Sequence, residues 1–192
     1  AKVQIDSRLS TMELSRRLRE YELDAAIAHF SAEDQAGLQV VPLYEERFIV
    51  LASADQLPRQ GHTMTWADAA QLPLALLTPD MRIRQVIDKA FAESGVVVTP
   101  QVESDSVASL YAQVGVGAWA SIVPHTWLRA MPVVGKARAV RLVEPDTRAQ
   151  VSVATHAATP GSVVARAFVT AAQRLRLDEF FDQPLTTEPL LR

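Results

Sequence analysis

Cysteine is absent from this chain, which excludes a disulfide framework, thiolate metal sites and cysteine nucleophiles. That absence suits a reducing cytoplasm, the expected location. No uninterrupted apolar run approaches the roughly 20 residues that cross a bilayer, and the opening residues AKVQIDSR have no apolar signal core. Charge of either sign is not in large excess. A formal net charge of −3 lacks the electrostatic footprint of an autonomous duplex-DNA binder, so any DNA contact would fall to another segment of the parent protein. Catalytic signatures are missing as well: no H-E-x-x-H, G-x-S-x-G, G-x-x-x-x-G-K-[ST] or G-x-G-x-x-G pattern occurs, and the histidines are His29, His62, His125 and His156. The expectation is a non-enzymatic domain without metal or cofactor. With 192 residues, 48% hydrophobic content and 21% charge, the chain reads as an ordinary globular protein, long enough for one domain or two small lobes.

Periodicity predicts strands alternating with helices, hence an α/β architecture. Val3 and Ile5 alternate with polar neighbours as a short strand. Ser10 and Glu13 form an S-x-x-E capping box, Leu9 and Leu14 a hydrophobic staple, and Leu14, Leu18 and Tyr21 a buried stripe. Arg8, Arg16, Arg17 and Arg19 interleave with Glu13, Glu20 and Glu22, as a solvated helix face does. Leu23 to Ala28 would complete a strand, helix, strand unit and imply a parallel sheet. Further strands are expected at Leu38 to Val41, Phe48 to Leu51, Leu74 to Leu77, Val96 to Val98, Val140 to Val143 and Val151 to Ala154. Thr65 and Asp68 cap a short helix. Thr78 and Pro79 read as N-cap and N1 of a helix with Ile83, Val86, Ile87 and Ala90 on its buried face and Gly95 at its end. Thr159 and Pro160 would start a last helix bearing Val164, Phe168, Ala171 and Leu175. The tail Asp178 to Arg192 reads as loosely packed. Trp66, Trp119 and Trp127 read as core.

The segment DSVASLYAQVGVGAWASIVP, Asp105 to Pro124, carries the most information. Val107, Leu110, Tyr111 and Val114 form one helical face, Asp105 or Ser106 caps it, Gly115 ends it, and Ala118 to Val123 forms a buried strand stopped by Pro124.

This segment resembles the helix, "aGxGia", "lP" signature of the effector-binding domain of LysR-type transcriptional regulators, at Val114-Gly115-Val116-Gly117-Ala118 and Val123-Pro124. Leu23-Asp24-Ala25-Ala26-Ile27-Ala28 is similar to the family's "LDlai" strand, Pro42-Leu43-Tyr44-Glu45-Glu46 to its "pLyee" segment, and Phe48-Ile49-Val50-Leu51 to the crossover that follows. The pieces keep the family's order over about residues 3 to 175. The resemblance implies a two-lobed type II periplasmic-binding-protein-like fold. Residues 1–50 and 152–180 would form a discontinuous lobe I, 51–151 lobe II and 181–192 a C-terminal tail. The chain would cross between lobes near Ile49 to Ser53 and return near Val151 to Thr155. Family effector domains begin with another strand and helix before the position of Val3, preceded by a winged helix-turn-helix and linker helix, so an N-terminally truncated fragment is expected.

In open α/β sheets, ligands bind beyond the carboxyl ends of strands, where helix N-termini offer free N–H groups. Three such ends are candidates: His29 and Phe30; Thr78, Pro79 and Asp80; and Glu103, Ser104 and Asp105. The bland alternatives are a loop histidine bonded to backbone, plain capping by Thr78, and a capping cluster facing water. The hydroxyls suit a small organic anion, while Glu103 and Asp105 leave open a neutral or cationic effector. The resemblance implies an effector-sensing and oligomerising domain, in dimers or tetramers, with promoter DNA bound only through a helix-turn-helix elsewhere. The rival is a periplasmic solute-binding protein of a transporter, which shares the architecture.

Overall fold

The computed structural model describes residues 3–6, 9–58, 62–131, 135–157 and 162–182. The chain opens with α1 (Thr11–Arg19), β1 (Ala26–Ala28) and β2 (Leu38–Ser53). The two strands expected at Leu38 and Phe48 are one strand of 16 residues. Pro42 is accommodated in it because the register with its neighbour shifts between Pro42 and Tyr44, a bulge being where a strand tolerates proline. There follow β3 (Thr63–Thr65), α2 (Trp66–Ala69), β4 (Ala75–Leu77), α3 (Arg82–Glu93), β5 (Val102–Ser104), α4 (Val107–Val116), β6 (Ser121–Pro124), α5 (Trp127–Ala130), β7 (Ala137–Val143), β8 (Arg148–His156), α6 (Val163–Arg174) and α7 (Leu177–Asp182). Among the described residues no helix is long and apolar enough to cross a membrane.

β2 changes partners midway, and this change makes two lobes. From Leu38 to Arg47 it pairs antiparallel with β8, which also carries β1. From Phe48 to Leu51 it pairs with β6, and from Ile49 to Ser53 with β7. β3 runs parallel to β7, β5 runs parallel to β4, and one parallel bridge, Leu74 to Ala120, links β4 to β6. The pairing switch falls between Arg47 and Phe48, and the chain comes back through residues 144–147, before Arg148 begins β8.

Several sequence expectations give way to tertiary context. Val3 and Ile5 lie in no strand and are exposed; an alternating pattern becomes a strand only where a neighbouring edge takes its N–H and C=O groups. Among the described residues the parallel unit expected of the first thirty is therefore absent, and β1 pairs only with β8, antiparallel. Tyr21 leaves the α1 stripe because the helix ends at Arg19: Tyr21 adopts φ +60° and stacks on His156 at 4.1 Å between ring centroids. Val96 to Val98 lies in no strand, with Val97 exposed and the Val96 N–H donating to the Phe91 carbonyl at 3.0 Å. Gly115 lies within α4, and the left-handed closing residue is Gly117, at φ +86°. The apolar face anticipated on the last helix points outward. Val164, Phe168 and Leu175 are exposed, while Ala165 and Ala172, one i,i+7 pair, are the buried positions of α6. Thr159 and Pro160 lie outside the described residues, and Ser162 caps this helix instead. Of the tail, Leu177–Asp182 is helical.

The main core belongs to the second lobe. Phe48, Trp66, Leu76, Ile87, Phe91 and Ile122 are fully buried on one face of its sheet, with Trp66 edge-on to Phe91 at 5.2 Å. Ile49, Leu51, Tyr111, Val114 and Val123 fill the other face, under α4. Trp119 and Trp127 pack at its margin. The first lobe has a smaller cluster of Leu18, Ala26 and Ala154, flanked by Phe30, Leu38 and Val40.

Candidate functional site

Three neighbouring strands of the second lobe, β5, β4 and β6, end on the same side, because β4 runs parallel to both others. β5 ends at Ser104, and β4 and β6 lead into Thr78 and His125-Thr126. The Thr78 N–H donates to the Ser104 carbonyl at 3.1 Å, so these two predicted residues sit side by side. Thr78 does not cap α3. That helix starts four residues later, behind Met81, with no side-chain cap, and Thr78 heads a turn closed by the Met81 N–H at 3.0 Å. Its hydroxyl is buried and has no hydrogen-bond partner among the described residues. A residue before proline is disfavoured from the α region, which suits a turn as well as an N-cap, so the Thr-Pro pair alone does not fix where α3 begins. Pro79 and Asp80 are exposed on that turn.

Ser104 uses its hydroxyl to accept the Ser106 N–H at 3.1 Å, and Ser106 caps α4 by accepting from the Ser109 N–H at 3.3 Å. Asp105 is exposed between them. Glu103 is committed elsewhere. Its carboxylate accepts from Arg84 at 2.7 Å, and the almost fully buried Arg84 also donates to Asp88 at 2.8 Å and to the Leu77 carbonyl at 2.6 Å. Burial works against the Arg84 charge, but Glu103 and Asp88 outweigh it and raise its pKa.

From the first lobe, His29 and Phe30 follow β1. Phe30 packs on the Leu18 cluster, and His29 Nε2 donates to Glu46 at 2.8 Å. Both residues line a cavity of about 370 Å³. Its far wall is α3, through Arg82, Val86 and Lys89, and its floor is the 145–150 connection, so it lies between the lobes at their junction. Lys89 pairs with Glu93, and Arg148 with Asp146 and Glu45. Arg82 reaches only the Gln85 amide and has no carboxylate partner among the described residues. Of the predicted residues, His29 and Phe30 line this cavity; Thr78 and Ser104 lie at the strand ends near the start of its α3 wall, and Glu103 and Asp105 face away from it into ion pairing or solvent.

Sequence reasoning missed Arg82, Glu46 and Thr126. Glu46 is buried in β2 and its second oxygen accepts from the Thr126 hydroxyl at 2.5 Å. A glutamate in a strand that alternation leaves ambiguous gives no sign of its burial, and Thr126 stands two residues beyond the strand-ending proline with no motif around it. Arg82, one residue outside the Thr78-Pro79-Asp80-Met81 turn, was within reach of the strand-end rule. Among the described residues no group of three His, Asp or Glu side chains converges as a metal site.

Residues 2–176 match a family model described as the LysR substrate binding domain. The fold matches CbnR, a LysR family transcriptional regulator, at 18% identity and TM-score 0.70, over 86% of this chain and 57% of that one. It also matches the effector binding domain of QuiR in complex with shikimate, at 18% identity and TM-score 0.73, over 88% and 78% of the two chains. The reduced OxyR regulatory domain from Pseudomonas aeruginosa matches at 26% identity and TM-score 0.69, over 85% and 77%. This chain thus spans little more than half the length of CbnR. No curated protein matches the sequence.

Proposed function

Because the chain belongs to the LysR substrate binding domain family, we propose that it is the effector-sensing and oligomerising part of a LysR-type transcriptional regulator acting in the cytoplasm. A small organic anion binds between the lobes, and its preference for one lobe arrangement shifts the population and thereby the placement of DNA-binding domains carried elsewhere in the protein. The lobes in this reading divide where β2 changes partners, after Arg47, and again within 144–147. The observation that carries the proposal is the 370 Å³ cavity with walls from both lobes and, on one of them, the guanidinium of Arg82, which has no carboxylate partner among the described residues. A volume of this size accommodates a small metabolite, and a guanidinium forms bidentate hydrogen bonds to carboxylates.

The site comprises His29 and Phe30 on one side and Arg82 with the Thr78-Pro79-Asp80 turn on the other. Ser104 supports that turn through its carbonyl, whereas Glu103 is paired with Arg84 and Asp105 is exposed. QuiR, with shikimate in its effector domain, is a relative of the same fold that takes an organic acid. A solute-binding protein of a transporter would share the architecture, but the family match favours the regulator.

A thermal-shift screen of organic acids, amino acids and aromatic acids identifies the ligand, since selective binding to the folded state raises the melting temperature. Calorimetry on His29→Ala, Thr78→Ala, Arg82→Ala and Ser104→Ala with the best hit then tests the site. The Arg82 change is expected to weaken binding by tenfold or more, as loss of a charge-assisted hydrogen bond does. Unchanged affinity in all four variants removes the assignment.

A further inference from the structure

The lobes are joined by more than their connecting strands. Glu46 is 3% exposed, and a carboxylate so placed is retained only where donors compensate its lost hydration. Here each lobe contributes one. His29, from the first lobe, donates Nε2–H to Oε2 at 2.8 Å, and Thr126, from the second, donates its hydroxyl to Oε1 at 2.5 Å. Thr126 is itself 5% exposed. Glu46 immediately precedes the point where β2 changes partners: its own backbone pairs with Ala149 in the first lobe, and two residues later Phe48 pairs with Pro124 in the second. At Arg47 the chain is clamped to β6 by the His125 N–H to the Arg47 carbonyl at 2.9 Å and by the Arg47 N–H to His125 Nδ1 at 3.1 Å. The carboxylate therefore sits on the pivot, with one oxygen committed to each side. The charge of Glu46 is also felt by Tyr44, whose phenol is pushed up to about 12, by burial first and by that charge second.

We propose that Glu46 is a latch across the hinge: by accepting from His29 and Thr126 at once it holds the lobes in this arrangement, and occupancy of the interlobe cavity reaches it through His29, which lines both. The second half of this statement rests on the cavity being the effector site; the first half does not. Glu46 and Thr126 are accordingly positioning residues. They also line, with Tyr44, Trp127 and Phe181, a second cavity of about 360 Å³ that His29 does not touch, so rotation at the pivot has free volume beside the latch.

The test uses the unliganded chain, so its outcome is independent of whether the effector reading holds. The absence of cysteine allows a clean spin-label pair at Val97→Cys, on the second lobe, and Gln173→Cys, on the first. Pulsed dipolar distance measurements on this background are expected to show one dominant interlobe distance. Thr126→Val should raise the ratio of a second arrangement to the first by about tenfold or more, the loss expected for a hydrogen bond to a charged acceptor. Thr126→Ser, which restores the hydroxyl, should return the parent distribution. His29→Leu should act as Thr126→Val does, and the double variant should add nothing beyond either, because both act on one carboxylate. If Thr126→Val does not fold, Thr126→Ala, which also removes the hydroxyl, takes its place with the same expectation. An unchanged distribution in Thr126→Val, equal shifts in the valine and serine variants, or additive shifts in the double variant each overturn the latch.

Discussion

At the scale of single residues, what a side chain does here follows from its neighbours more than from its type. Thr78 precedes proline at a strand end and so has the sequence of a helix cap, yet its buried hydroxyl has no partner among the described residues and α3 starts at Arg82. Loss of a working cap costs about 1 kcal/mol. Thr78→Val should instead leave urea stability unchanged or raised, since an unsatisfied buried hydroxyl is removed at nearly constant shape; a loss the size of a cap would show that the hydroxyl is bonded in solution. Glu13 has the spacing of a capping-box partner to Ser10, and only half of that box is formed. Ser10 accepts from the Glu13 N–H, but the Glu13 carboxylate turns to Arg16 and Arg17. Hydrogen bonds from Arg16 and then Arg17 hold its pKa at about 2, below the ordinary 4.5. A depressed carboxylate stabilises the fold above its unfolded value and loses that contribution as pH falls through its folded value. The melting-temperature gap between the parent and Glu13→Gln should therefore be full above pH 4.5, vanish near pH 2, and shrink with added salt because the pair is exposed. A gap independent of pH would contradict the ion-pair account.

At the scale of elements, the strongest sequence signals were local, and those were legible. Ser10, Thr65 and Ser106 cap α1, α2 and α4 through their side chains, Gly95 follows α3 at positive φ, and the anticipated stripes are buried at Leu110, Tyr111 and Val114 of α4 and at Ile87 and Ala90 of α3, where Ile83 and Val86 are half-buried and Arg84 and Phe91 join the buried face. What failed required knowledge of partners. Val3 and Ile5 have strand alternation without a neighbouring edge, and α6 has an apolar stripe with Ala165 and Ala172, not that stripe, against β8 and β2. The stop expected at Gly115 falls two residues later, at Gly117, which takes the left-handed conformation. Two changes in α4 follow. Ser106→Ala should lower unfolding stability by about 1 kcal/mol through the lost cap, and Gly117→Ala by roughly 1–2 kcal/mol because a Cβ is strained at φ +86°. Denaturant titration reads both, and a Gly117→Ala variant as stable as the parent would argue against the left-handed closure.

At the scale of the molecule, the two-lobed architecture was legible because the ordered motifs from Leu23 to Pro124 matched a family whose topology they imply. Periodicity alone gave alternating strands and helices and could not show that one 16-residue strand serves both lobes. The candidate site was legible to the same depth. Strand-end reasoning reached His29, Phe30 and Thr78, whereas Glu46 and Thr126 acquire their role only when β2 and β6 are brought side by side. The central claim is that a metabolite is gripped from both lobes at once. Amide chemical-shift mapping by two-dimensional NMR, with the organic acid that most raises the melting temperature, tests it most directly. The account predicts perturbations on both sides of the cavity, at residues 28–30, 78–82 and 145–150 together. Perturbations confined to one lobe, or gathered on the exposed face of α6, would contradict it.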